Sequence, residues 1–273
     1  MKNIYKLGFL LMLILVVSSC SKKGCTDPMS LAYNSEASKD DGSCTYPEVS
    51  KKTLLIRKTG DWCQYCGEHA TEFVDDVENN YSSTVQVMDL HYNDGMAVDV
   101  GYNMISTLGS MSTPGFAVGS VIYPLNYSQI TQAINADILL TPEVNIDLNF
   151  SIQDGKMNIN IHSLLSTGMS GDNYYLAAYI LEDGQVGNQS IATSTGTIVD
   201  PNFIHNNTLR TEASGSGNPF GNLIEFDADG NNITSYSDII LAPSSIWNPD
   251  NLYVVAVIWQ QDGSTYRFVN LEN

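Results

Sequence analysis

From Val144 to Ile152 the chain alternates apolar and polar residues: Val144, Ile146, Leu148, Phe150 and Ile152 fall on one side. Asp154-Gly155 then marks a turn, and Met157, Ile159 and Ile161 carry the alternation back. A period of two broken by Asp-Gly predicts a β-hairpin. Tyr174–Leu181 and Leu252–Gln261 are nearly unbroken apolar runs, the second followed by Asp262-Gly263, Tyr266 and Phe268. These predict buried strands. Weaker strands fit Phe203–Glu212 and Ile233–Leu241. About seven short strands separated by Gly, Asn and Asp turns predict an all-β, immunoglobulin-like sandwich domain over residues 142–273. Two Gly/Ser/Asn-rich stretches, Asp183–Pro201 and Ala213–Gly221, are expected to project from it as loops.

The preceding residues follow a different rhythm. Lys52–Lys58 reads as a buried strand and Thr59–Cys63 as a turn. Gln64–Asn80 reads as a helix, because Ala70, Phe73, Val74 and Val77 recur at spacings of three and four. Val85–His91 alternates like a strand. Asn93–Ser112 is loop with a short helix, Thr113–Val118 opens another strand, and Ser128–Leu139 is a second helical stretch. Residues 48–141 are therefore expected to form an α/β domain.

Residues 1–19 predict an export signal rather than a fold element. Lys2 and Lys6 precede an apolar run of about 11 residues, Leu7–Val17, which is too short to span a bilayer. Val17-Ser18-Ser19-Cys20 resembles a bacterial lipobox, which implies cleavage before Cys20 and its acylation. No acidic run follows Cys20, which favours the periplasm-facing side of the outer membrane. The chain carries 30 acids against 12 bases, a net charge of −18. Such a chain is repelled by phosphate backbones and anionic membrane surfaces. Nucleic-acid binding and basic-patch membrane attachment are excluded as functions, leaving a lipid at Cys20 as the expected membrane link.

Five cysteines are present: Cys20, Cys25, Cys44, Cys63 and Cys66. Lipidation of Cys20 accounts for the odd number, and an exported chain permits disulfides among the rest. The natural pairing is Cys25–Cys44, a structural bridge, and Cys63–Cys66, a C-x-x-C. Zinc is the competing use, but all-cysteine zinc sites take two such pairs. Covalent haem needs His after the second Cys, where Gly67 stands. No metal or organic cofactor is therefore expected at the pair. Gly24–Pro47 has few large aliphatic residues and resembles short Cys-bounded repeats of exported Bacteroidetes proteins. It is read as a disulfide-tied linker over residues 20–47. The lesser alternative is a calcium loop using Asp27, Asn34, Asp40 and Asp41, which lacks EF-hand spacing.

A strand, Trp62-Cys63-x-x-Cys66 at a helix start, a second strand and Thr113-Pro114 before a third resemble the thioredoxin fold. That resemblance implies a cis bond before Pro114. It also implies Cys63 as attacking thiolate, Cys66 as resolving thiol, Trp62 packed beside the pair, and Thr113 and Pro114 as the substrate-side wall. The chemistry follows from position. Exposed amides at a helix start favour the thiolate, and the thiolate is what attacks disulfides. This reading requires Cys63 to be open to visitors. One departure stands out: thioredoxins carry a buried acid six residues before the first Cys, and here that residue is Arg57. His69, just after the pair, is read as an exposed helix residue, and His162 as a surface residue of its strand. His205, with Asn206, Asn207 and Arg210, is read as a hydrogen-bonded loop anchor.

The lipobox, Thr59-Gly60-x-Trp62-Cys63-x-x-Cys66, the Thr-Pro step and His205-Asn206-x-x-Leu209-Arg210 together resemble the outer-membrane-protein-28-related lipoproteins of Bacteroidetes. The resemblance implies an outer-membrane, lipid-anchored location and a two-part architecture. The expected activity is thiol–disulfide exchange on exported proteins bearing thiols or disulfides. The alternative is a non-catalytic binding or adhesion protein whose Cys pair only staples the fold.

Overall fold

The computed structural model describes residues 21–273. The predicted signal segment and Cys20 lie outside the described residues. Among the described residues no helix is long and apolar enough to cross a membrane.

The first part runs β1 (Thr53–Thr59), a π-helical turn (Cys66–Ala70), α1 (Thr71–Tyr81), β2 (Val85–His91), α2 (Asp99–Leu108), β3 (Gly115–Val118), β4 (Val121–Tyr123) and α3 (Tyr127–Asp137). β1 and β2 pair in parallel; β3 pairs antiparallel with β1, and β4 with β3. The short helix expected within Asn93–Ser112 is the ten-residue α2. The second part is almost wholly strand: β5 (Val144–Gln153), β6 (Lys156–Leu165), β7 (Tyr174–Glu182), β8 (Gln185–Thr193), β9 (Gly196–His205), β10 (Thr208–Glu212), β11 (Asn222–Leu223), β12 (Asn231–Ile240), β13 (Leu252–Asp262) and β14 (Thr265–Glu272).

The predicted sandwich is not self-contained. β7, β10, β13 and β14 join β1–β4 in a single sheet ordered β14-β13-β7-β10-β2-β1-β3-β4, with β11 beside β7. The sheet runs on past residue 141, through a seam where Thr208 of β10 faces Asp89 of β2 and the Asp89 amide donates to Asn207 O. β5, β6 and β12 form the separate three-stranded layer. The alternating pattern therefore reports a real second layer, but its partner is shared with the α/β part, which local periodicity does not encode.

Strand alternation distributes the core. Leu54, Ile56, Met88 and Leu90 pack with Tyr179, Val257, Trp259 and Met104 of α2. On the opposite face Leu55 and Val87 meet Phe73, Val74 and Val77 of α1 and Ile130 and Ile134 of α3. The outer side of β7 and β13 (Leu176, Ala178, Ile180, Val254, Ala256, Ile258) packs on Ile146, Met157, Ile159 and Ile161 of the small sheet. Each Leu, Ile, Val or Met among them, fully buried, contributes about 1.5–3 kcal/mol. His162 also lies in this region and is buried, with Nε2 2.9 Å from Asn231 Oδ1, so it is not the surface residue expected from strand alternation.

In the linker, Cys25 and Cys44 are joined. The oxygens weighed for calcium make local hydrogen bonds. Asp27 accepts from Tyr46 Oη and the Met29 amide, Asn34 from the Glu36 amide, Asp40 from the Gly42 amide and Asp41 from the Ser43 amide. Asx turns of this kind give the stretch its shape without a core.

Candidate active site at the Cys63–Cys66 pair

Parallel β1 and β2 end side by side, Thr59 opposite His91. The chain leaves β1 through Gly60 and Asp61, and the Cys63 amide closes a turn onto Gly60 O. The amides of Cys66 and Gly67 then bond to Cys63 O, so the first helical winding begins at Cys63 although the regular α1 starts at Thr71. Backbone dihedrals at Glu68 (φ −112°, ψ −106°) put a kink between the π turn and α1, where the sequence predicted one helix from Gln64. The Cys66 amide points at Cys63 Sγ, 3.2 Å away.

Cys63 and Cys66 are joined in a disulfide, and Thr113-Pro114 is cis. Trp62 is half exposed, with its indole N–H donating to Tyr92 O. Trp62, Cys63, Gln64, Tyr65, Thr113 and Thr197 line one recess of about 300 Å³. The sequence-predicted Cys63, Trp62 and Thr113 are thus brought together; Pro114, also expected in the wall, is buried and does not line the recess.

The stretch expected to project as a loop does the opposite. β8 and β9 form a two-stranded hairpin that folds back over the dithiol. The Ser190 amide donates to Asp61 O at 2.7 Å and the Ala192 amide to Gln64 O at 3.0 Å. The buried Gln189 side chain donates to the carbonyls of Cys63 (3.0 Å) and Gly60 (3.3 Å). Cys63 is left 5% exposed and Cys66 1% exposed. Cys63 is therefore not open on the hairpin side, as the sequence reading required; solvent meets it through the recess.

Beneath the loop the buried face turns polar. Arg57 pairs with Asp89 on β2, its Nε donating to Oδ1 at 2.8 Å and a terminal nitrogen to Oδ2. Burial alone would lower the Arg57 pKa, but the Asp89 carboxylate raises it above the ordinary value. Arg57 is thus paired with an acid of the neighbouring strand and is no free cation. Arg57 also reaches Thr71 Oγ1, which donates to Cys66 O at 2.8 Å.

Sequence reasoning missed a second pair. His91 Nδ1 donates to Asp94 Oδ2 at 2.6 Å, and the same oxygen accepts the Asp61 amide at 3.0 Å, two residues before Cys63. Burial pushes Asp94 up, but the hydrogen bonds from His91, Asp61 and Met96 hold it below its usual range. His91 Nε2 is buried without a partner. The His205 ring lies 5.3 Å from that of His91, with Nε2 3.2 Å from Asn188 O. Burial, with His91 beside it, pushes His205 down to about 4. The available signal was the alternation in β2: Val85, Val87, Asp89 and His91 share a face, apolar at one end and polar under the loop. His69 is exposed near Glu68 and Glu72, as expected. The other residues of the His205 motif hold structure: Asn206 accepts the Gly184 amide, Leu209 is buried, and Arg210 lies 3.1 Å from Glu182.

Residues 106–272 match the family model of outer membrane protein Omp28. The chain therefore belongs to the Omp28 family of outer-membrane proteins, an assignment to the cell envelope. The match begins after the dithiol, so it covers Thr113-Pro114 and the strands that follow but not Trp62-Cys63-x-x-Cys66. Among solved structures the chain is similar to HBP35 of Porphyromonas gingivalis, at 16% identity and a TM-score of 0.66, over 83% of this chain and 76% of that one. At this identity the likeness is one of fold. A domain of the outer membrane lipoprotein Omp28 from P. gingivalis aligns at 15% identity and a TM-score of 0.29, covering 48% of this chain and 85% of that one. No match is found among curated proteins.

Proposed function

We propose that this chain is a lipid-anchored envelope protein, held through Cys20 on the periplasmic side, that carries out thiol–disulfide exchange at Cys63–Cys66. The observation that carries the proposal is the joined Cys pair at the start of a helical winding, with Cys63 and Thr113 of the cis Thr113-Pro114 step lining one recess. The order of β1–β4 supports a thioredoxin-like reading of residues 48–141: a parallel pair, the dithiol between them, then an antiparallel hairpin behind a cis proline. The immunoglobulin-like reading extends only to the two stacked strand layers of residues 142–273. In the proposed reaction Cys63 is the sulfur attacked or attacking, Cys66 resolves the mixed disulfide, and Trp62 and Thr113 wall the approach. Exported proteins with thiols or disulfides are the proposed partners.

The near-complete burial of both sulfurs favours a second reading, a binding or adhesion protein whose Cys63–Cys66 bridge is only a staple. Measuring the potential of the pair separates the two. Structural bridges lie below about −300 mV, and a value well above that supports exchange. A Cys66→Ser chain is expected to trap mixed disulfides through Cys63 in the native envelope; an empty trap together with a low potential leaves only the staple.

A further inference from the structure

The β8–β9 hairpin is built as a strap on the dithiol loop. Its backbone amides at Ser190 and Ala192 donate to Asp61 O and Gln64 O, on either side of Cys63. This is how an added strand lies along an open backbone edge. Gln189 is buried against the loop carbonyls, and the fit is close on the helix side. A methyl group at Gly67 would come within 2.4 Å of Ser190 O and 2.7 Å of Gln189 Cγ. Outside, β8 and β9 pair only with each other, Val186, Ile198, Val199 and Ile204 are exposed, and the ties to the rest of the protein are single side-chain bonds, from Thr197 to Gln64 and from Arg210 to Gln185. The remaining access to Cys63 is the recess of about 300 Å³ between Trp62, Tyr65, Thr113 and Thr197. That volume admits a small molecule and no folded polypeptide.

We propose that the β8–β9 hairpin occupies the path of an extended client across the Asp61–Gln64 backbone, so that the closed protein exchanges with low-molecular-weight thiols through the recess and engages protein dithiols only when the hairpin lifts. The proposal rests on the exchange reading and assigns its substrate class and its regulation. The step balances with two thiols of the small reductant. One thiolate attacks Cys63 Sγ and the Cys63–Cys66 bond breaks. The electron pair leaves on Cys66 Sγ, which takes a proton from water. A second reductant thiolate attacks the first reductant sulfur, releasing Cys63 as a thiol and the reductant as its disulfide. A protein dithiol performs the same exchange but must place its own backbone where β8 lies.

The test compares two reductants on the full, folded chain: dithiothreitol, and reduced thioredoxin as a protein dithiol, with free Cys63 and Cys66 counted by alkylation. Two variants loosen the strap from opposite sides. Gln189→Ala removes the amide that holds the loop carbonyls, and Gly67→Ala pushes the hairpin off from beneath while leaving its sequence intact. Both are expected to raise the thioredoxin rate about tenfold or more, by raising the open fraction, while the dithiothreitol rate changes by less than about threefold. Equal acceleration of both reductants, or of neither, by both variants overturns the strap and leaves the exchange reading standing. Failure of dithiothreitol to reduce the pair in the folded wild type overturns the exchange reading and the small-thiol route with it.

Discussion

Two regions of the nine-stranded sheet bury opposite kinds of side chain. Under the small sheet, β7 and β13 present Leu176, Ala178, Ile180, Val254, Ala256 and Ile258, an apolar face against apolar partners. Under the dithiol loop, β1 and β2 present Arg57, Asp89 and His91, with Asp94 and His205 close by, all buried. Burying charge is costly unless each group is paired. The first region gains stability from apolar area; the second adds to its own apolar contacts a polar cluster that is favourable only while its hydrogen bonds are complete. That cluster has more to lose from a single change, and it lies where the candidate chemistry is.

Asp89→Ala is the sharpest way to break this contrast. It leaves Arg57 buried without its partner and should cost about 3–5 kcal/mol in denaturant unfolding. A double change, Arg57→Met with Asp89→Leu, should recover most of that loss; if it does not, the pair is more than a matched burial. A smaller effect is expected from pH. His205 sits at about 4 in the folded chain against an ordinary 6.5, so it is buried neutral. Its contribution is whole above pH 6.5 and falls as pH drops from 6.5 toward 4, because the unfolded chain gains the proton first. The loss should reach about 1–3 kcal/mol by pH 4. His205→Gln should flatten that part of the curve, with His91, Asp89 and Arg57 still in place. Ile159→Val in the apolar stack removes one buried methylene and should cost only about 0.5–1.5 kcal/mol, independent of pH between 4 and 7.

Much of the architecture could be read from the sequence because it is written in local periods. The alternation at Val144–Ile161 gave β5 and β6, and the spacing of Phe73, Val74 and Val77 gave α1. The Cys pair and Thr113 could also be named before any coordinates, since their types and order suggest the proposed chemistry. What escaped was set by contacts distant in sequence. Asp183–Pro201 reads as loop because Gly, Ser, Asn and Thr dominate it, yet its polar groups find partners on Asp61, Gln64 and Cys63, more than 120 residues earlier. Asp89 and His91 sit in a strand whose alternation fits an ordinary apolar face until its last two inward positions. The merging of the two parts into one sheet rests on the seam at Thr208, which no local pattern announces.

The Gln189 amide has a consequence for how the loop can move. Its nitrogen carries two hydrogens yet lies within 3.3 Å of four carbonyl oxygens, those of Gly60, Asp61, Cys63 and Ser190. No single arrangement satisfies all four, so the amide has several nearly equivalent ways to share its protons. A small displacement of the Cys63 backbone then shifts the sharing without severing it. The contact works as a sliding bearing, tolerant of sub-ångström travel and resistant only to full separation.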